Sequence, residues 1–309
     1  MQHYPLVTIV GGSGFIGRHA VKLLASAGYR IRILVRDTVA AEYLKTAATV
    51  GQIAIEHADI TRAETLRGKF VGSDAVINLV STLHSRGRQT FSALNVTGAS
   101  AIAQEAKVAG VKTLVHVSAL GCELAGDTQY GKSKRVGESA VHAAFPEAII
   151  LRPSLVVGPE DEFFQRFARM SLISPILPLI AGGHTKFQPV LVTDVARAML
   201  EVLQRPECNG HSYALAGNAT YSFREMMAMM ARITNRRPCL VPIPCWLANM
   251  AARLFALTPF TPPISRDQVK LLGHDNVVRT GELTFANLGI APASVEDALP
   301  QLLARYVKS

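Results

Sequence analysis

The stretch L-V-T-I-V-G-G-S-G-F-I-G-R, Leu6 to Arg18, decides how the rest of the chain is read. Leu6 to Val10 is a short apolar run rich in β-branched residues, and it stops at Gly11 and Gly12. An apolar pattern of helical period then runs from Phe15 to Ala27, with Gly28 as its C-terminal cap. Gly11, Gly14 and Gly17 therefore stand between a strand and a helix. Glycine there allows a tight turn, and the absent β-carbons let backbone N–H groups, including those of Phe15 and Ile16 at the helix start, approach a pyrophosphate. A glycine triplet alone is a weak signal; strand, loop and helix in this order make it specific.

The same alternation continues outward. Arg30 to Val35, Gln52 to His57, Ala75 to Val80 and Thr113 to Val117 read as strands, Asn95 to Ala109 as a helix closed by Gly110, and Thr61 with Glu64 as a capping box opening a helix after the third strand. Apolar strands joined by crossover helices predict a parallel sheet covered on both faces, an α/β Rossmann-type doubly wound fold. Residues 1–154 form the expected dinucleotide-binding domain, with 190–206 packing back on it, and 155–309 a smaller C-terminal region for substrate or partner.

Composition narrows the classes. The chain has 309 residues, of which 49% are hydrophobic and 18% charged, as in a folded globular protein. The net charge of +9 is spread along the chain, so it suits an anionic cofactor, an acidic partner or a membrane surface, whereas no basic run interleaved with aromatics suggests nucleic acid. Cys122, Cys208, Cys239 and Cys245 form no C-x-x-C pair and join no histidine cluster, so they read as reduced and no metal site is expected. No signal peptide and no membrane-spanning stretch is expected, which points to the cytoplasm.

The end of the second strand bears on the choice of dinucleotide. Arg36 follows Leu34-Val35, with Arg30 and Arg32 earlier on the strand, and a guanidinium there can bind a 2′-phosphate and stack on adenine. That favours NADP(H), while Asp37 keeps NAD(H) open. Farther along, Tyr130 and Lys134 stand four residues apart, with Ser118 twelve residues before the tyrosine. On a helix that spacing puts phenol and ammonium on one face, where the cation can lower the phenol from its usual value near 10.

Taken together, V-G-G-S-G-F-I-G, H-A-D-I at 57–60, N-V-T-G at 95–98, Y-G-K-S-K at 130–134 and L-R-P-S-L-V-V-G-P at 151–159 resemble the extended and atypical short-chain dehydrogenases/reductases, of the NAD-dependent epimerase/dehydratase type. Residues 115–170, above all G-E-S-A-V-H-A-A-F-P-E-A-I-I at 137–150, are most similar to the NADPH-binding accessory subunits of respiratory complex I and their bacterial relatives. The resemblance implies that Asp59, followed by Ile60, contacts adenine, though Asp59 also suits a turn aspartate before Thr61. It further implies that Lys134 binds the nicotinamide ribose, and that Tyr130 exchanges a proton with a substrate oxygen as hydride moves. Family members usually carry two adjacent hydroxyl residues after the fifth strand. Here the pair is Ser118-Ala119, so either Ser118 polarises the substrate or that donor is missing.

Beyond residue 154 the pattern is less regular. A helix is expected over Val192 to Gln204, introduced by Thr193 or Asp194, and a second one opens at the Ser222–Glu225 capping box, with Met226, Met227, Met229 and Met230 as core or as ligand lining. Between Pro242 and Pro263, Trp246, Leu247, Met250, Leu254 and Leu257 share one helical face, suited to internal burial or to docking on a membrane or hydrophobic partner. Three functions stand open. The protein holds NADP(H) structurally, in complex I or another quinone-related assembly at the inner face of a membrane; or it is an NADP(H)-dependent oxidoreductase on a small hydrophobic carbonyl or alcohol; or it is a nucleotide-sugar epimerase or dehydratase.

Overall fold

The computed structural model describes residues 5–244, 250 and 266–308. Six strands, Leu6–Val10 (β1), Arg30–Val35 (β2), Ile53–His57 (β3), Ala75–Asn78 (β4), Thr113–Val117 (β5) and Ile149–Pro153 (β6), lie in the order β3-β2-β1-β4-β5-β6. Ser212–Leu215 and Leu283–Thr284 extend the sheet beyond β6 to eight strands, every neighbouring pair parallel. The chain reverses direction across the sheet between β1 and β4, where an open α/β sheet leaves a crevice at its carboxyl edge.

Each face of the sheet is covered because alternate strand residues are apolar on both sides. Val7, Ile9, Ile31, Ile33 and Val115 pack against Phe15–Ser26 (α1), through Ala20, Val21 and Leu24. Val10, Leu34, Val76, Leu114 and Ile150 face Ala99–Val108 (α2), through Ile102 and Ala103, and Gln129–Ala144 (α3), through Val141. Full burial of such side chains contributes roughly 1.5–3 kcal/mol each, so these two layers dominate the stability of the sheet. Phe164–Ile173 (α4) belongs to a third cluster. Val192–Gln204 (α5) returns to the α1 face through Val195, Met199 and Val202.

The third cluster is built from Phe167, Leu177, Leu179, Leu299 and Leu303 with Phe223–Ile233 (α6), whose Met226, Met227, Met229 and Met230 are all buried. Those methionines are core and not ligand lining. The Ser222–Glu225 capping box forms, with Glu225 N–H on Ser222 Oγ at 3.2 Å and Ser222 N–H on the Glu225 carboxylate at 2.6 Å.

Several boundaries differ from the sequence expectation. β4 ends at Asn78, because its amide turns inward, Oδ1 accepting from Val80 N–H (3.1 Å) and Nδ2 meeting His116 Nδ1 (3.1 Å). The Thr61–Glu64 capping box does not form: Thr61 gives both its N–H and its hydroxyl to Asp59 Oδ1, and the short 3₁₀ turn Ala63–Leu66 starts without a side-chain cap. The helix expected from Asn95 begins at 91, and its Ala93–Gly98 turn has π geometry. Neither Thr193 nor Asp194 caps α5; Asp194 Oδ2 instead accepts Ala293 N–H at 2.8 Å, tying the C-terminal region to the sheet layer. Of the amphipathic stretch Pro242–Pro263, all but 242–244 and Met250 lies outside the described residues.

Candidate functional site

The glycine loop joins β1 to α1 at the switch point. Gly11 takes φ +84°, a conformation that favours glycine, and donates its N–H to Leu34 O at 3.0 Å. A β-carbon on Gly17 would lie 2.6 Å from the carbonyl oxygens of Gly11 and Gly12, so only glycine lets the helix close onto the loop. α1 starts at Gly14 with no side-chain cap and no acidic residue in its first turn.

From this loop a cleft of about 650 Å³ runs along the carboxyl edge of the sheet. Gly11, Gly14, Phe15, Ile16 and Gly17 line it together with Ser118, Tyr130 and Lys134. Phe163, Phe167, Leu271 and Leu272 add apolar wall, with Glu162 and His274 among the polar groups beside them. Eight residues singled out in the sequence thus share one cavity. Arg36, Asp59 and Ile60 stand outside its wall, past the ends of β2 and β3. Arg36 is exposed, while Asp37 Oδ1 accepts Ala40 N–H at 2.9 Å, so of the two only the aspartate is taken up in a turn. Ile60 is buried against Gly98, where a β-carbon would come within 2.7 Å of Ile60 Cδ1. Burial pushes the Asp59 carboxyl up, but the Thr61 hydrogen bonds and the Arg36 and Arg62 cations outweigh it and hold the group below its ordinary value.

α3 begins at Gln129 because Thr128 caps it, Oγ1 accepting Gly131 N–H at 2.9 Å. Tyr130 is therefore in the first turn, its ring edge-on to Phe91 with centroids 6.0 Å apart, and Lys134 one turn further on. Lys134 is 2% exposed; its Nζ lies 6.0 Å from the Tyr130 ring and donates to Val117 O at 3.0 Å. Burial pushes the lysine down to about 8 and the phenol up to about 12, with a Ser81 hydrogen bond opposing the latter. The expectation of a lowered phenol is thus corrected: desolvation raises it, only the Ser81 hydrogen bond opposes, and Tyr130 stands as a proton donor.

Below Lys134, His116 is kept neutral, burial and the Lys134 charge pushing it down to about 3. Because Asn78 Nδ2 is a donor, His116 Nδ1 accepts, which places the ring proton on Nε2. Ser118 follows β5 and is almost fully buried; its Oγ bonds no backbone group among the described residues, and the Cys122 thiol lies beside it. The residue lines the cleft next to Ala119. The nearby Cys122 thiol is pushed up to about 12, by burial and then by Glu138, which makes it unreactive. Glu138, one turn beyond Lys134, is held by the guanidinium of Arg152 on β6 through bonds of 3.0 and 2.6 Å.

Two residues that sequence reasoning gave no role also meet here. Ser81, just after β4, donates to Asn95 Oδ1 at 3.3 Å, and Asn95 Nδ2 donates to Ser133 Oγ at 2.9 Å, which bonds back to Tyr130 O at 2.8 Å. Asn95 sits on the π turn, a local widening frequent at functional sites. The N-V-T-G motif marked Asn95; nothing in spacing marked Ser81. The glycine loop, which opens α1 without a side-chain cap, and Ser118, Tyr130 and Lys134 on the same cleft fit a nicotinamide dinucleotide lying along it.

Residues 7–216 match the model of the NAD dependent epimerase/dehydratase family. The chain belongs to that family. It is 31% identical over 304 residues to NADH dehydrogenase [ubiquinone] 1 alpha subcomplex subunit 9, mitochondrial, from Mus musculus, covering 97% of this chain and 80% of the relative. A ceramide reductase from Caulobacter vibrioides is 28% identical over 239 residues, 77% of this chain and 74% of that protein. Among solved structures, a dTDP-glucose 4,6-dehydratase from Streptomyces venezuelae with NAD and TYD bound superposes with a TM-score of 0.74 at 21% identity, covering 97% of this chain and 96% of that one. Membership in the family carries a nicotinamide dinucleotide cofactor with it, and among the described residues no helix is long and apolar enough to cross a membrane.

Proposed function

We propose that the protein binds NADP(H) in this cleft and holds it chiefly as a structural cofactor of an assembly of the complex I type, peripheral to a membrane. The observation that carries the reading is a cleft lined by both Lys134 and the glycine loop, with alanine and not a second hydroxyl at position 119. The similarity to the mouse mitochondrial subunit over 97% of the chain supports the assembly role. Residues 1–154 with 190–206 bind the cofactor in this reading, 155–309 face the partner, and the Trp246–Leu257 apolar face of the sequence docks on the membrane or on a hydrophobic subunit.

The preference for NADP(H) over NAD(H) rests on Arg36, exposed at the end of β2 while Asp37 is engaged in its turn. Arg36→Ala is expected to weaken NADPH about tenfold, the worth of one charge-assisted phosphate pair, and to leave NADH within about twofold. Isothermal titration with both nucleotides measures this, alongside release of retained nucleotide on denaturation. Equal wild-type affinity for the two, or no retained nucleotide and no co-purifying respiratory subunits, overturns the proposal.

A second reading is favoured by Tyr130 being protonated at an apolar cleft, which suits reduction of a hydrophobic carbonyl; the similarity to a ceramide reductase points the same way. The bound cofactor would supply hydride; Tyr130 would give a proton to the carbonyl oxygen, and Ser118 would donate a hydrogen bond to it. Tyr130→Phe should then lower single-turnover oxidation of bound NADPH by a hydrophobic ketone or aldehyde by about 10²–10⁴. An unchanged rate removes Tyr130 from the chemistry, and no oxidation by any carbonyl in the wild type returns the site to a structural role.

A further inference from the structure

The first two N–H groups of α3 are not left to solvent. Gln129 N–H and Tyr130 N–H donate to the two carboxylate oxygens of Asp267, at 2.8 and 2.9 Å, across 138 and 137 residues of sequence. Thr128 takes the third donor of the same turn, Gly131 N–H, so cap and carboxylate divide the helix end between them. A carboxylate is the fitting partner there, since it meets two donors and the positive end of the helix dipole together.

Asp267 does not act alone. Residues 266–276 cross the 120–130 loop as a strap whose contacts with that loop are polar: Lys270 Nζ on Asp127 O (3.0 Å), His274 Nε2 with Asp127 Oδ1 (2.7 Å) and Asn276 Nδ2 on Leu120 O (2.7 Å). Asn276 Oδ1 also accepts the Ser154 hydroxyl at 2.5 Å, next to the end of β6. On its other side the strap is anchored by Val269, 2% exposed in the third apolar cluster, and Leu271 and Leu272 wall the cleft. The strap that adds Leu271 and Leu272 to the cleft wall therefore also fixes the backbone from which Tyr130 projects.

We infer that Asp267 is a positioning residue for Tyr130: through the two backbone bonds it sets the height of the first turn of α3, and the strap transmits to the nicotinamide end of the cleft whatever moves residues 266–276. The inference rests on the cofactor reading above for its ligand but not for its geometry. It predicts a separation between the two halves of the cofactor. Asp267→Asn keeps the size of the side chain and loses one acceptor and the charge. It should weaken NADPH about five- to tenfold while leaving adenosine 2′,5′-bisphosphate, which lacks the nicotinamide half, within about twofold.

Titration of both ligands into wild-type protein, Asp267→Asn and Asp267→Glu measures this, with hydrogen exchange of the 128–136 segment followed in parallel. The expected result is about tenfold faster exchange at Gln129 and Tyr130 in Asp267→Asn with β1 and α1 unchanged, and recovery of NADPH binding and protection in Asp267→Glu, whose longer chain still reaches both N–H groups. Equal weakening of the two ligands, or unchanged exchange at 129–130, overturns it. Should wild-type protein bind neither ligand, the cofactor reading falls, and the exchange at 129–130 decides the placement of Asp267 by itself.

Discussion

Lys134→Met is expected to make the nucleotide-free protein more stable and NADPH binding at least tenfold weaker. The side chain is 2% exposed, and its only hydrogen bond among the described residues is to Val117 O. The nearest carboxylate on the same helix, Glu138, is spent on Arg152. Burial therefore pulls the lysine from its ordinary 10.5 down to about 8. A shift of that size corresponds to roughly 3 kcal/mol disfavouring the folded cation, against about 1 kcal/mol for leaving Val117 O unpaired in the methionine variant. The net expectation is about 2 kcal/mol of gained stability at pH 7, read as a higher urea midpoint with an unchanged m-value.

The sign of the pH dependence follows. Between about 8 and 10.5 the unfolded chain holds the Lys134 proton and the folded chain does not, so wild-type stability rises with pH across that window by up to about 1.4 kcal/mol per unit. The methionine variant lacks that rise. In the proposed NADPH complex the order would reverse, because the nicotinamide ribose hydroxyls would give the ammonium back partners that burial removed. Wild-type affinity should then fall as pH passes about 8. A variant that is less stable without nucleotide, or that binds NADPH as tightly as the wild type, would remove Lys134 from the cofactor site.

The parallel sheet covered on both faces and the strand–loop–helix at Gly11, Gly14 and Gly17 are legible in the sequence, because each depends on local patterns a few residues long. β4 through Val80 and the Thr61–Glu64 box were misread for a common reason. Asn78 and Asp59 compete for the backbone donors that follow them, and such short-range polar exchanges leave no trace in apolar periodicity. The π turn at Ala93–Gly98 was likewise hidden, since it keeps helical composition while changing the bonding.

For the candidate site, consecutive motifs mark eight residues that line the cleft, and three, Arg36, Asp59 and Ile60, that do not. Sequence reasoning does not find Ser81 or Asp267, which reach Tyr130 from 49 and 137 positions away and carry no motif of their own. Nor does it foresee burial. The Tyr130–Lys134 spacing suits a lowered phenol, and only the burial of Tyr130 shows desolvation raising it. A site assembled from distant segments is readable in sequence only where each segment has its own signature.

Gly137→Ala provides the sharpest test of how that site is assembled. In most helices the change stabilises by about 1 kcal/mol, since alanine is the better helix former. Here a β-carbon on Gly137 would stand 1.9 Å from Asn95 O and 3.0 Å from Asn95 C. Both neighbours are backbone in packed helices, so relief requires α3 and the π turn to separate, at an expected cost of about 3 kcal/mol or more. Gly137 lies one turn beyond Lys134, and Asn95 holds Ser81 and Ser133. The separation would therefore also loosen the bonds that reach Tyr130. Urea unfolding should show a lower midpoint, and NADPH affinity should fall further than that of an equally destabilised variant in the third apolar cluster, such as Met230→Ala. A neutral or stabilising Gly137→Ala would mean that α3 does not rest on the Asn95 carbonyl, and the hydrogen-bonded path from Ser81 to Tyr130 would lose its support.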